Sequence, residues 1–266
     1  MSIGFIGCGN MATAIIDGII AGGAVNQEEI FLYDVFVPAM QKLINKYERI
    51  GICDSEEDVV RKSDAVVLAV KPNVLGGVLN KINSALDESD TLLISIAAGK
   101  TIEFIRSSLS HDNRIIRVMP NINAMVNEAM CAYCCNNKAT SEDKVLTEKI
   151  FNSVGQVMFL EENYFPLFGV VAGCSPAFVY MFIDSLARAA VKNGMKKDTA
   201  IMISAQAVLG SAKMVLNSSD HPWELIDKVC SPGGTTIEGV ASLQADGFEA
   251  SIQNAVDKAV EKDSKL

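Results

Sequence analysis

The sequence predicts two domains of different class: an α/β doubly wound parallel sheet over residues 1–162 and an all-helical domain over residues 163–266. Three observations predict this. Short apolar runs alternate with helical segments up to about residue 160, strand signals vanish beyond it, and a glycine turn joins the first strand to the first helix. Strands that alternate with helices build a parallel sheet covered on both faces.

The chain opens on Ser2-Ile-Gly-Phe-Ile-Gly-Cys-Gly-Asn-Met-Ala12, a short apolar strand running into Gly7-x-Gly9-x-x-Ala12 and then a helix, Met11 to about Ala21, stopped by Gly22-Gly23. Gly7 permits the tight turn, Gly9 lets the backbone approach a pyrophosphate, and the small Ala12 lets the helix pack on the strand. Amides at the helix start face the phosphates. This is the dinucleotide fingerprint of a Rossmann-type domain. Asp34 closes the next strand, Ile30 to Asp34, at the spacing of about 20 residues where a carboxylate binds both ribose hydroxyls. No Arg, Ser or Thr follows in Val35-Phe36-Val37-Pro38. A 2′-phosphate would meet a negative charge without a basic partner, so NADH is expected in preference to NADPH. The same position also suits an aspartate that caps the following helix.

Asp64–Val70, Thr91–Ile96 and Arg114–Val118 are continuous apolar runs, as expected of strands buried on both faces. Helices are expected near 37–47, 73–86 and 101–109, followed by a helix capped by Ser141 and a short strand near Gln156–Leu160. The second half reads as helix over 176–193, 198–217, 223–229, 234–245 and 248–262. The last carries Phe248, Ile252, Val256 and Val260 on one stripe, an amphipathic pattern. The 198–217 helix is apolar nearly all round, from Ile201 and Met202 to Met214 and Val215. A helix without a polar face is buried on all sides. In a small helical domain a second copy of the chain supplies that burial, which makes this a dimerisation domain.

Net charge is −9 with no basic run, which argues against a nucleic-acid partner. The N-terminus goes directly into strand, leaving no room for a signal peptide, and a cytoplasmic protein is expected. Asn163 to Ile183 is uncharged and long enough to span a bilayer, but Pro166, Gly169, Gly173 and Pro176 interrupt it. It is expected to be a core or interface segment, with no membrane partner. The seven cysteines are scattered. Cys131-x-x-Cys134 has metal or redox spacing, yet it sits on an apparent strand with no second pair and no nearby histidine, and the cysteines read as buried small hydrophobes. No metal is expected.

Three strand ends carry motifs. Ala69-Val70-Lys71-Pro72 and Ser95-Ile-Ala-Ala-Gly99 lie where an open α/β sheet binds ligands. Lys71 faces phosphate or ribose, or is a surface lysine. The small residues of the second motif would let a nicotinamide ring lie close to backbone. Arg117 in Arg117-Val-Met-Pro-Asn121 reads as a structural pair. In the helical half, Ser231-Pro232-Gly233-Gly234-Thr235-Thr236 leads into a helix. Its amides, the helix dipole and the hydroxyls make a site for a small carboxylate, the alternative being a flexible helix cap. Acids and bases are scarce: His111 and His221 sit in polar loops and read as surface residues. An enzyme built this way leans on positioning and cofactor chemistry.

Together these motifs resemble the pyrroline-5-carboxylate reductase family. The likeness runs in order from Gly4–Ala12 through Leu68–Pro72, Ser95–Gly99, Arg117–Asn121 and Ala205–Met214 to Ser231–Ile237. It implies NAD(P)H-dependent reduction of L-1-pyrroline-5-carboxylate to L-proline, the last step of proline biosynthesis, and a homodimer that can assemble further into decamers. Carried over by position, Ile6, Gly7, Cys8, Gly9, Asn10 and Met11, with Ala69, Val70, Lys71 and Pro72, line the cofactor. Ala97 and Ala98 lie near its nicotinamide end. Ser231, Gly233, Gly234, Thr235 and Thr236 hold the substrate, with Thr236 near the imine nitrogen as the catalytic candidate. The chain departs from the family pattern at Cys174 and Phe178, at Glu56 where an asparagine often meets the ribose, and at Asp34.

Two other readings fit parts of the chain. A β-hydroxyacid dehydrogenase would need a lysine one turn before an asparagine on a second-domain helix. Pro176 to Ala190 has no lysine, and Lys192-Asn193 are adjacent. A non-catalytic nucleotide-binding regulator would have little reason to keep the Ser231–Thr236 loop.

Overall fold

Eight strands form one sheet in the computed structural model, which describes residues 1–263. β1 (Ile3–Ile6), α1 (Asn10–Ala21), β2 (Ile30–Tyr33), α2 (Val37–Lys46), β3 (Gly51–Ile52), α3 (Glu56–Lys62) and β4 (Ala65–Leu68) make the first half. There follow α4 (Leu75–Asp87), β5 (Leu92–Ser95), α5 (Ile102–Ser107), β6 (Ile115–Met119), β7 (Ala129–Cys135), α6 (Ser141–Asn152) and β8 (Gly155–Phe159). The strand order is β3-β2-β1-β4-β5-β6-β7-β8. The order reverses direction between β1 and β4, and that reversal is the topological switch point where a ligand crevice opens.

β1, β4 and β5 are buried at every residue. Successive side chains alternate between two cores, as strand geometry requires. Phe5, Val67 and Ile94 pack with Ile15 and Ile19 of α1 and Phe151 of α6. Ile6, Val66, Leu68 and Leu93 pack on the other face with Val59 of α3 and Leu79 and Ile82 of α4. Helices on both faces explain the uninterrupted apolar strands.

Three details differ from the sequence reading. β3 and α3 are additional elements between Ile50 and Ser63. The sheet is not wholly parallel: β7 pairs antiparallel with β6, Met119 opposite Ala132, and β8 runs parallel to β7. Between β6 and β7 lies only one short 3-10 segment, Ile122–Val126, whereas a parallel crossover needs a dozen or more residues and a helix. The chain must therefore turn back. The cap of α6 is Thr140 rather than Ser141: the Thr140 hydroxyl accepts from the Asp143 amide at 3.2 Å and the Asp143 carboxylate accepts from the Thr140 amide at 2.8 Å.

β7 settles the geometry of Cys131-x-x-Cys134. Residues three apart on a strand point to opposite faces, and Cys131 and Cys134 lie in different cores. They cannot chelate one ion together.

The chain divides into two compact units, Met1–Gly173 and a second beginning at Cys174. The sheet unit extends past residue 162 because α7 (Phe165–Phe168) and the π-helix Gly169–Cys174 pack on it through Phe165 and Val170, both buried. The second unit is helical: α8 (Ser175–Lys192), α9 (Lys197–Asn217), α10 (Pro222–Val229), α11 (Thr235–Ala245) and α12 (Phe248–Asp263). Pro166 and Pro176 both sit in first turns of helices, where the missing amide costs nothing, so they do not break the run. Glu162–Lys192 and Lys197–Asn217 are long and apolar enough to cross a membrane by length and composition. Within the single chain α9 is not buried on all sides: Met202 is 66 % exposed and Met214 60 %.

Candidate active site

The switch point holds two cavities. The first, of about 370 Å³, brings together Gly9, Asn10 and Met11 from the α1 start, Ala69 to Pro72 from the end of β4, and Ala97 and Ala98 from the end of β5. Nine residues predicted from three separate motifs thus meet in one place. Arg117, Met119 and Pro120 close its far side. The second cavity, of about 280 Å³, is lined by Ile6, Gly7, Asp34 and Val70, with Glu56 and Lys81. Val70 borders both cavities.

Local backbone chemistry builds this site. Gly7 has φ +101°, and a Cβ there would lie 2.5 Å from the Ala69 carbonyl oxygen, so only glycine fits. At Gly9 a Cβ would meet nothing within 4 Å. Its backbone is therefore open to an approaching group. Gly9 is also the N-cap of α1 with no side-chain cap, which leaves first-turn amides available to an anion.

Cys8 and Ala12 do not line either cavity. The Cys8 amide donates to Asp34 Oδ2 at 2.7 Å, and the Phe36 amide donates to Asp34 Oδ1 at 2.8 Å. Burial pushes the Cys8 thiol up to about 12, with the Asp34 charge adding to the effect. Ala12 is fully buried under the helix, which is the packing role its size predicts. Each Asp34 oxygen accepts one amide, and a carboxylate has about four lone-pair sites. Asp34 can still accept from two hydroxyls.

Arg117 is a structural pair, as its sequence context suggests. Its Nη1 donates to Glu162 Oε1 at 2.8 Å, and its guanidinium lies 4.5 Å from the Phe165 ring centroid. The same Glu162 oxygen accepts from the Ile102 amide at 2.9 Å. Both histidines are engaged on the surface: His111 with Asp87, and His221 Nδ1 accepting from the Trp223 amide as the cap of α10.

In the helical unit, Ser231 to Gly234 form a turn closed by the Gly234 amide on the Ser231 carbonyl at 3.0 Å. Pro232 followed by Gly233 at φ +66° is the residue pattern of a type II turn. Gly234 has φ −81° and is the N-cap of α11, again with no side-chain cap. Its amide is committed to the turn, so the anion-binding amides on offer are those of the first turn of α11, from Thr235 onward. Thr235 and Thr236 are both exposed.

Ile6, Gly7, Asp34, Val70 and Glu56, all singled out in the sequence, line the second cavity, but sequence reasoning missed Lys81 and the pair it makes. Glu56 and Lys81 stand on α3 and α4, and a 2.7 Å ion pair joins them. The Ser55-x-x-Asp58 capping pattern, with the Asp58 amide donating to Ser55 Oγ at 3.1 Å, was the available signal for α3.

Against known proteins the whole chain finds relatives. Pyrroline-5-carboxylate reductase of Escherichia coli (strain K12) is 44% identical over 267 residues, covering 99% of this chain and 97% of that one. The chain belongs to the pyrroline-5-carboxylate reductase family. The family model described as pyrroline-5-carboxylate reductase dimerisation matches residues 162–266, and one described as NADP oxidoreductase coenzyme F420-dependent matches residues 2–99. Among solved structures, a pyrroline-5-carboxylate reductase from Coxiella burnetii superposes with TM-score 0.94 at 30% identity, covering 99% of this chain and 97% of that one. Pyrroline carboxylate reductase of Plasmodium falciparum, solved with NADP bound, gives 0.85 at 35% identity with the same coverage. This reductase family thus accounts for both halves of the chain, the nucleotide-type sheet and the helical unit.

Proposed function

We propose that this reductase lays NADH, in preference to NADPH, across the two cavities of the switch point, and holds its substrate on the Ser231–Thr236 loop. The reaction is that of the family: NAD(P)H-dependent reduction of L-1-pyrroline-5-carboxylate to L-proline, closing proline biosynthesis. The observation that carries the placement is the pair of cavities meeting at Val70, with Asp34 pinned by two amides beside Gly7.

On this reading the first-turn amides of α1 take the pyrophosphate, Asp34 accepts the adenosine ribose hydroxyls, and Ala97 and Ala98 leave room for the nicotinamide ring. When bound, the reduced dinucleotide supplies the hydride that adds at the imine carbon. The first-turn amides of α11 and the Thr235 hydroxyl hold the substrate carboxylate, which keeps the ring from rotating. The Thr236 hydroxyl lies toward the imine nitrogen. That nitrogen takes its proton readily in water, and the resulting iminium accepts a hydride without a strong general acid. This fits a site in which both histidines are engaged elsewhere.

The chain works in the cytoplasm as a self-associated assembly. Support comes from the apolar, outward-facing α9 and from the dimerisation model that spans the helical unit. The direct test is NADH oxidation on addition of L-1-pyrroline-5-carboxylate, followed by loss of absorbance, with proline identified as product. NADH consumption without proline would sink the proposal.

A further inference from the structure

We propose that Glu56 and Lys81 form a second cofactor discriminator, an ion pair between a buried carboxylate and a half-exposed lysine that withholds the lysine from a 2′-phosphate and leaves Asp34 as the uncompensated charge of the adenosine cavity. The inference rests on the reading that the adenosine half of the cofactor lies beside Asp34.

The geometry is specific. Glu56 is only 4 % exposed, yet it borders the cavity that Asp34 borders. Its Oε1 accepts from Lys81 Nζ at 2.7 Å. Among the described residues lining this cavity, Lys81 is the one cation, against the two carboxylates of Asp34 and Glu56. The remaining walls are mainly apolar, with Val35, Val74 and Val78 among them. At Gly77, between Val74 and Val78, a Cβ would meet nothing within 4 Å, so space for a ligand is left beside the pair.

Charge follows from the pairing. The Glu56 hydrogen bond holds the Lys81 ammonium above its ordinary range, so the lysine stays protonated and stays committed. A half-exposed lysine free to swing would be an attractive partner for a 2′-phosphate. Tied to a buried carboxylate it cannot swing far, because moving away would leave Glu56 charged and unpaired in a cavity of low dielectric. The pair therefore works with Asp34: one carboxylate faces the ribose hydroxyls, and the other immobilises the one cation among the described residues lining the cavity. An ion pair that merely staples α3 to α4 would affect both dinucleotides alike.

The experiment measures dissociation constants of NADH and NADPH for the full-length protein from the fluorescence of the bound reduced nicotinamide. Glu56→Gln removes the charge and keeps the shape, so NADPH should bind about tenfold tighter, with NADH little changed. Adding Lys81→Met should erase that gain, since the freed ammonium is its source. Lys81→Met alone leaves a bare carboxylate and should weaken NADPH more than NADH, which tests the idea even if Glu56→Gln fails to fold. If both dinucleotides shift equally in these variants, the pair is only a staple and the proposal is overturned. If Glu56→Gln changes nothing while Asp34→Asn improves NADPH binding, the pair is excluded and the adenosine placement stands. If neither variant moves the NADPH constant, the placement itself is wrong and the proposal falls with it.

Discussion

The Cys8 amide and the Asp34 carboxylate share a 2.7 Å hydrogen bond, which ties the glycine turn after β1 to the acid at the end of β2. The proposed ribose acid and the proposed pyrophosphate loop are thus one unit. Asp34→Asn keeps an acceptor for the Cys8 amide but removes the charge. The expected outcome is a ratio of kcat/KM for NADH over NADPH reduced by about tenfold, as expected for one charge close to a phosphate. Steady-state kinetics with both cofactors check this. An unchanged ratio would remove Asp34 from cofactor choice.

Thr236→Ala should lower kcat/KM for L-1-pyrroline-5-carboxylate by the equivalent of about 0.5–3 kcal/mol, the range of one hydrogen bond. NADH binding, followed by fluorescence, should be unaffected. Gly234→Val should do worse for a steric reason: a Cβ at 234 would lie 2.3 Å from Ser231 Oγ. Substituting Gly233 should be harmful for a different reason, the φ of +66°. Intact kinetics in Thr236→Ala would reduce the loop to a helix cap.

Self-association should be measurable by light scattering at micromolar concentration, with a mass at least twice the 28.5 kDa of one chain. Met202→Glu, placing a charge on the apolar face of α9, should shift the population toward single chains. A stretch of exposed apolar residues this long exceeds what monomers tolerate. A single species of one-chain mass in the unmodified protein would contradict the assembly.

Burial pushes the thiols of Cys8, Cys53, Cys131 and Cys134 up to about 12, from an ordinary value of 9.0. The thiolate is the reactive form, so brief alkylation at pH 8 should leave these four unlabelled in mass spectra of tryptic peptides. The raised values also set a pH dependence. The folded state keeps these protons longer than the unfolded chain. Their contribution to stability is full below about pH 9 and is lost as pH rises toward 12. Thermal midpoints should fall across that alkaline window, and labelling of all four at pH 8 would show the sheet core to be open.

How much of this was legible depends on whether a residue pattern or a third dimension carried the information. Gly7, Gly9 and Asp34 announce a nucleotide site because their spacing is fixed by the turn they build. The end motifs of β4 and β5 were readable for the same reason, and they do meet in one cavity. Glu56 was legible only through the family resemblance, and Lys81 with its pairing to Glu56 was not. β3 has two residues and α3 seven, too short for periodicity, and an ion pair across 25 positions leaves no local trace. The reversal of β7 could have been deduced from connection length alone, since nothing between Met119 and Ala129 is long enough to cross over. The apolar helix α9 was legible as a helix needing cover, but one chain does not supply that cover.

The reversal at β7 also bears on how the sheet comes together in time. β6 with β7 is its one antiparallel pairing among the described strands, and it joins segments that are close in sequence, Met119 opposite Ala132. The pairing of β1 with β4, Ile3 beside Ala65, must close a much longer loop. Local pairings form sooner because less chain entropy is lost before contacts compensate. The hairpin can therefore organise faster than the central seam. That seam borders the proposed dinucleotide site, so the crevice there matures after the hairpin.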